Sequence, residues 1–87
     1  MKISIITASK NNYTTLETCF QSIKNQTYKD IELIVVDSSD NKKTLNIIEQ
    51  NKKIITKLIY QKPLGIYHAL NTGIENSSGD IVGFLHS

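Results

Sequence analysis

The feature that most constrains this chain is its alternation of short β-branched apolar runs with segments whose apolar residues recur at helical spacing. Lys2 to Ala8 reads as a strand, with isoleucines at 3, 5 and 6 and no helical period. Leu16, Cys19, Phe20 and Ile23 then fall at i, i+3, i+4 and i+7, one face of a helix that Thr14 or Thr15 could cap and whose positive end Glu17 suits. Ile31 to Val36 is a nearly unbroken apolar run ending at Asp37, the pattern of a strand covered on both faces. A shorter helix is expected from about Thr44 to Asn51, turning Leu45 and Ile48 inward, and a third strand over Ile54 to Gln61, marked as an edge by Lys57. After the break Lys62-Pro63-Leu64-Gly65, a third helix presents Ile66, Ala69, Leu70, Gly73 and Ile74 on one face. Ile81 to Leu85 makes a fourth, wholly apolar strand two residues before the sequence stops.

The order β-α-β-α-β-α-β predicts an α/β fold: a Rossmann-like parallel half-sheet, joined by right-handed crossovers and cut off after its fourth strand. Eighty-seven residues make one domain, 1–87, without repeat or linker. A chain of this size buries roughly 60–65% of its unfolded surface, so its core is marginal. Charge excludes some functions. The net charge is +2, and all ten basic residues are scattered lysines. With no arginine for bidentate contacts to phosphate or guanine, nucleic acid is not an expected partner. The single cysteine, Cys19, forbids an intramolecular disulfide and a thiolate metal cluster, and its place on an apolar helical face reads as structural. The apolar N-terminal run is too short for a leader or a membrane span, so membrane contact is not indicated and a reducing, cytoplasmic location is expected.

In parallel sheets, ligands gather at the carboxyl ends of the strands. That rule selects Thr7 to Asn12, Asp37 to Lys43, and the stub His86-Ser87. The first of these loops contains no glycine, so neither a G-x-G-x-x-G turn nor a P-loop is present. Asp37 has two readings: an acceptor for a base N–H or ribose hydroxyls, or a cap for its own turn. His86 alone makes no metal site, because ligands need a cluster.

Five segments carry a family resemblance when taken together. They are Thr7-Ala8-Ser9-Lys10-Asn11, Asn25-Gln26-Thr27-Tyr28, Ile34-Val35-Val36-Asp37, Gly65-Ile66-Tyr67-His68-Ala69-Leu70-Asn71-Thr72-Gly73 and Gly79-Asp80-Ile81-Val82-Gly83-Phe84-Leu85. In this order and spacing they resemble the start of the inverting, GT-A-fold glycosyltransferases of family 2, across essentially the whole chain.

The resemblance implies a nucleotide-sugar donor, usually a uridine diphosphate sugar, held by Thr7, Ala8, Ser9, Asn11 and Asp37. It places Gly65, His68 and Asn71 alongside that donor. It also implies a sheet in which strand one lies between strands two and four. In this family a short acidic motif after strand four holds a divalent cation, manganese or magnesium, as a Lewis acid on the diphosphate, and a later carboxylate acts as general base. Neither a metal ligand nor a catalytic residue is therefore expected within these 87 residues. The chain is expected to be the donor-binding part of an enzyme of surface polysaccharide synthesis, inactive by itself. A non-catalytic nucleotide-binding or interaction module is the alternative.

Three positions depart from the family pattern. Lys10 stands where an aromatic residue usually stacks on the base. Lys42 stands where a second aspartate is usual, and Asp40 matches only if the loop is re-aligned. His68 replaces an aspartate, either as a plain surface residue or as a contact to donor phosphate. An apolar fourth strand left at an edge also predicts dimers or aggregates.

Overall fold

A computed structural model describes residues 1–85, so the His86 position considered above lies outside the described residues. Four strands, β1 (Ile3–Ser9), β2 (Ile31–Asp37), β3 (Lys57–Tyr60) and β4 (Ile81–Phe84), form one parallel sheet in the order β3-β2-β1-β4. Helices α1 (Tyr13–Lys24), α2 (Lys42–Gln50) and α3 (Ile66–Glu75) make the crossovers, and a short 3₁₀ turn at Lys52–Ile54 precedes β3. The expected α/β half-sheet is therefore present, with β1 between β2 and β4.

The pleat sorts the core into two layers. On one face Leu33 and Val35 of β2 pack with Leu16 and Phe20 of α1 and Ile48 of α2. On the other, Ile6, Ile34 and Val36 pack with Ala69 of α3. Alternate residues of β2 thus serve opposite layers, which is why its sequence is apolar almost without interruption. Burying a side chain such as Phe20, 1% exposed, contributes about 1.5–3 kcal/mol. At Gly73, α3 approaches β1 so closely that a Cβ would lie 2.4 Å from Cγ2 of Ile6.

Several local expectations are corrected. Neither Thr14 nor Thr15 caps α1: Asn12 occupies the N-cap, and the first turn contains no acid, because Glu17 falls beyond it. The second helix starts at Lys42 rather than Thr44, since the Asn41 side chain accepts from the amides of Lys43 and Thr44. The third strand is shorter than Ile54 to Gln61 because Lys52–Ile54 coil into the 3₁₀ turn. Lys57 does not merely guard the edge. Its ammonium lies 3.8 Å from Glu32 and donates to the carbonyl of Asn76. The predicted face of α3 is only partly buried, with Ile66 and Ile74 half exposed. No helix of the described residues is long and apolar enough to cross a membrane.

Candidate donor-binding site

At the carboxyl ends of β1 and β2, the sheet opens into a cleft of about 290 Å³. Its floor is Ala8 and Val36, the last residues of their strands to face α3. The β3–α3 segment supplies an apolar wall of Pro63, Ile66 and Ala69 with Gly65 at the corner, and Ser9, Lys10, Asn12 and Ser38 supply the polar wall. Gly65 has φ 101°, ψ 160°, a conformation open essentially to glycine alone, and this lets the chain turn from β3 into α3 beside the cleft.

Cross-loop hydrogen bonds set the polar wall. Asn11, at φ 54°, sits in the left-handed region that asparagine tolerates better than most residues. Its amide N–H donates to Ser39 Oγ (2.8 Å) and its Nδ2 to Asp40 Oδ1 (3.0 Å). Its Oδ1 accepts from the backbone of Asp40 (3.1 Å) and Asn41 (2.9 Å). Within the β1–α1 loop, Asn12 Oδ1 accepts from Ser9 Oγ and from the Lys10 amide, each at 3.0 Å. The amide of Ser38 donates to the carbonyl of Ser9 (2.8 Å), joining the two loops.

Asp37 is 1% exposed and stands behind this wall rather than in it. Its Oδ1 accepts from Ser39 Oγ (2.7 Å) and the Ser39 amide (3.3 Å), so the turn-capping reading is realised by one oxygen. Its Oδ2 is buried with no partner among the described residues. A buried polar oxygen left so is costly, and it retains capacity to accept a hydrogen bond from an N–H or hydroxyl.

The sequence-predicted residues thus divide. Ala8, Ser9 and Gly65 line the cleft. Asn11 ties its two loops together, and Asp37 backs them. Thr7 is buried on the α1 side of the sheet, and its hydroxyl contacts the Cys19 thiol, whose pKa burial pushes up and that contact partly lowers. Such a thiol stays protonated and unreactive. His68 and Asn71 lie exposed on α3 outside the cleft lining. Asn12 and Ser38 lie in the two strand-end loops that the sequence pattern selects, whereas it did not single out Val36, Pro63 or Ile66 as site residues. A Pro-x-Gly turn immediately before a helix was the one local signal pointing to the apolar wall.

Among the described residues no three of His, Cys, Asp and Glu come together as metal ligands, so these residues do not by themselves fit a divalent cation.

The sequence profile described as glycosyl transferase family 2 matches residues 4–87. The chain is 32% identical to the putative glycosyltransferase EpsH of Bacillus subtilis over 98% of its own length and 25% of that protein. It is 37% identical to the poly(ribitol-phosphate) beta-N-acetylglucosaminyltransferase TarP of Staphylococcus aureus, over 99% of its length and 28% of that protein. Among solved structures, a mannosyltransferase of Pyrobaculum calidifontis in complex with GDP-Man and Mn2+ superposes with a TM-score of 0.83. That match has 25% identity and covers 93% of this chain and 26% of that one. The chain therefore spans about a quarter of the length of these relatives. Its cleft lies where a parallel α/β sheet binds ligands, and its profile match runs almost from end to end; the chain belongs to glycosyl transferase family 2, as an amino-terminal portion with the GT-A fold.

Proposed function

We propose that this chain is the donor-binding part of a glycosyltransferase of surface polysaccharide synthesis, and that its cleft takes a nucleoside diphosphate sugar with uridine as the base. The observation that carries this reading is the cleft itself, with an apolar wall for a flat ring and a polar wall for hydroxyls and phosphates. Support also comes from the polymer-directed acceptor in the name of the S. aureus relative and the nucleotide sugar bound in the P. calidifontis structure. The divalent cation implied by the family, manganese or magnesium, would be held by residues outside these 87.

The test is a nuclear magnetic resonance titration of the 87-residue chain with UDP and with GDP, combined with a transfer assay using UDP-sugars and manganese. Millimolar UDP should shift the amides of Ala8, Ser9, Lys10, Ser38 and Ile66, and no sugar should be transferred. A preference for GDP would correct the base. Sugar transfer by the 87 residues alone would refute the division of labour proposed here.

Self-association through β4 is part of the same proposal. Ile81, Val82 and Phe84 are 47%, 36% and 47% exposed on a strand that, among the described residues, is paired along one edge only. Light scattering should find dimers or larger species, and Phe84→Lys should shift them towards monomer.

A further inference from the structure

Among the described residues that line the cleft, Lys10 is the one that carries a charge, and none is a carboxylate. Among the described residues, none of the ion pairs involves its ammonium. Of the acids in the β2–α2 segment, Asp40 accepts from Asn11, and Asp37 stands behind the wall with one oxygen accepting from Ser39. The backbone at this point is held firmly. The Lys10 amide and the Ser9 hydroxyl converge on one oxygen of Asn12, and the next residue is fixed in the left-handed region by four hydrogen bonds to the neighbouring loop. A cation is thus mounted on a rigid turn, facing an apolar wall across a space large enough for part of a nucleotide.

We propose that Lys10 reads the phosphates of the nucleotide, so that this cleft selects its ligand by charge at a position where its neighbours are neutral. This rests on the donor-cleft reading above. An ammonium has three rotatable donors on a flexible stem and acts as a point charge, which suits a diphosphate whose oxygens present no single fixed geometry. It has no preference among sugars or bases, so Lys10 distinguishes diphosphate from nucleoside and leaves the base to the rest of the cleft.

The experiment is titration of uridine, UMP and UDP into the wild-type chain, Lys10→Met and Lys10→Arg, followed by amide shifts, with circular dichroism confirming the fold of each. Lys10→Met should weaken UDP by roughly tenfold, the low end for a charge-assisted hydrogen bond at an exposed site, and leave uridine unchanged. Lys10→Arg should restore most of the loss, and added salt should weaken UDP in the wild type more than in Lys10→Met. Equal weakening of uridine and UDP by Lys10→Met, or no change in either, overturns the phosphate role of Lys10 while leaving the donor cleft standing. A wild-type chain that binds neither uridine nor UDP overturns both.

Discussion

Strand β2 carries two buried carboxylates, Glu32 near its beginning and Asp37 at its end, and they are used in opposite ways. Glu32 is 2% exposed, and its oxygens accept from the Ser78 amide (3.2 Å), the Ser78 hydroxyl and, at 3.5 Å, Ser4 Oγ. The ammonium groups of Lys2 (3.3 Å) and Lys57 (3.8 Å) flank it. The Ser78 hydroxyl foremost, with help from Lys2 and Lys57, holds its pKa below the usual carboxylate range against the opposing effect of burial. Both Glu32 oxygens are satisfied, so this acid joins β1, β2, β3 and the α3–β4 turn at the amino end of the sheet. Asp37, at the carboxyl end, spends one oxygen on its own turn and keeps the other unpartnered among the described residues. Two carboxylates on one strand with equal burial thus differ in spare acceptor capacity. That difference separates an acid whose bonds join four elements of the fold from one that keeps an acceptor in reserve.

The largest effect on stability belongs to Glu32. Truncation by Glu32→Ala removes charge-assisted bonds from a buried position and should cost about 2–4 kcal/mol, read as the midpoint of urea unfolding. For a chain of this size each kcal/mol lowers the melting temperature by roughly 4–8 °C, so the variant should melt about 8–32 °C below the wild type. Next in size is Asn11. Asn11→Ala loses the side-chain bonds and places a residue less tolerant of positive φ at the turn, for about 1–2 kcal/mol. Asn11→Gly should recover the conformational part only.

Because the folded pKa of Glu32 is depressed, its contribution is fully present above the unfolded value of about 4.3 and is lost as pH falls through the folded pKa. Stability measured from pH 6 down to pH 3 should therefore decline more steeply in the wild type than in Glu32→Gln. Parallel slopes would remove Glu32 from the role of clamp. The smallest effect on stability belongs to Asp37→Asn, under about 1 kcal/mol, since an amide oxygen can still accept from Ser39 while Oδ2 loses no partner. The same variant should weaken nucleotide binding, and if unfolding rather than binding responds to it, the two carboxylates are not different in kind.

Much of the fold was legible because the pleat and the helix write their periods into the chain. Ile6, Ile34 and Val36 alternate faces with Leu33 and Val35 as the strand pattern requires, and Leu16, Cys19 and Phe20 share the buried side of α1. Element ends were less legible. Asn12 and Asn41 are the N-caps, and each is followed by threonines or lysines that competed for the same role. Glu32 was passed over because one acid inside an apolar run leaves the period intact, and its partners lie up to 46 residues away. The cleft was legible only in part for a related reason. Ala8 and Ser9 follow from the strand-end rule, whereas Pro63 and Ile66 reach them only through the crossover that brings α3 across β1 and β2.

The central place of β1 has a consequence in time. The Lys2 amide donates to Asp80 Oδ2 (2.9 Å), and the Asp80 amide donates back to the Lys2 carbonyl (2.8 Å), so β1 acquires its second neighbour, β4, only after β2, α2, β3 and α3 have been made. At roughly 5–20 residues per second, β1 waits several seconds between the emergence of β2 and that of β4 with one side of its ladder open. The long loop to be closed makes this pairing slow in its own right. Synthesis of this chain therefore exposes a half-paired isoleucine-rich strand to whatever else is nearby, and factors that shield nascent chains should matter more to its yield than its final stability suggests.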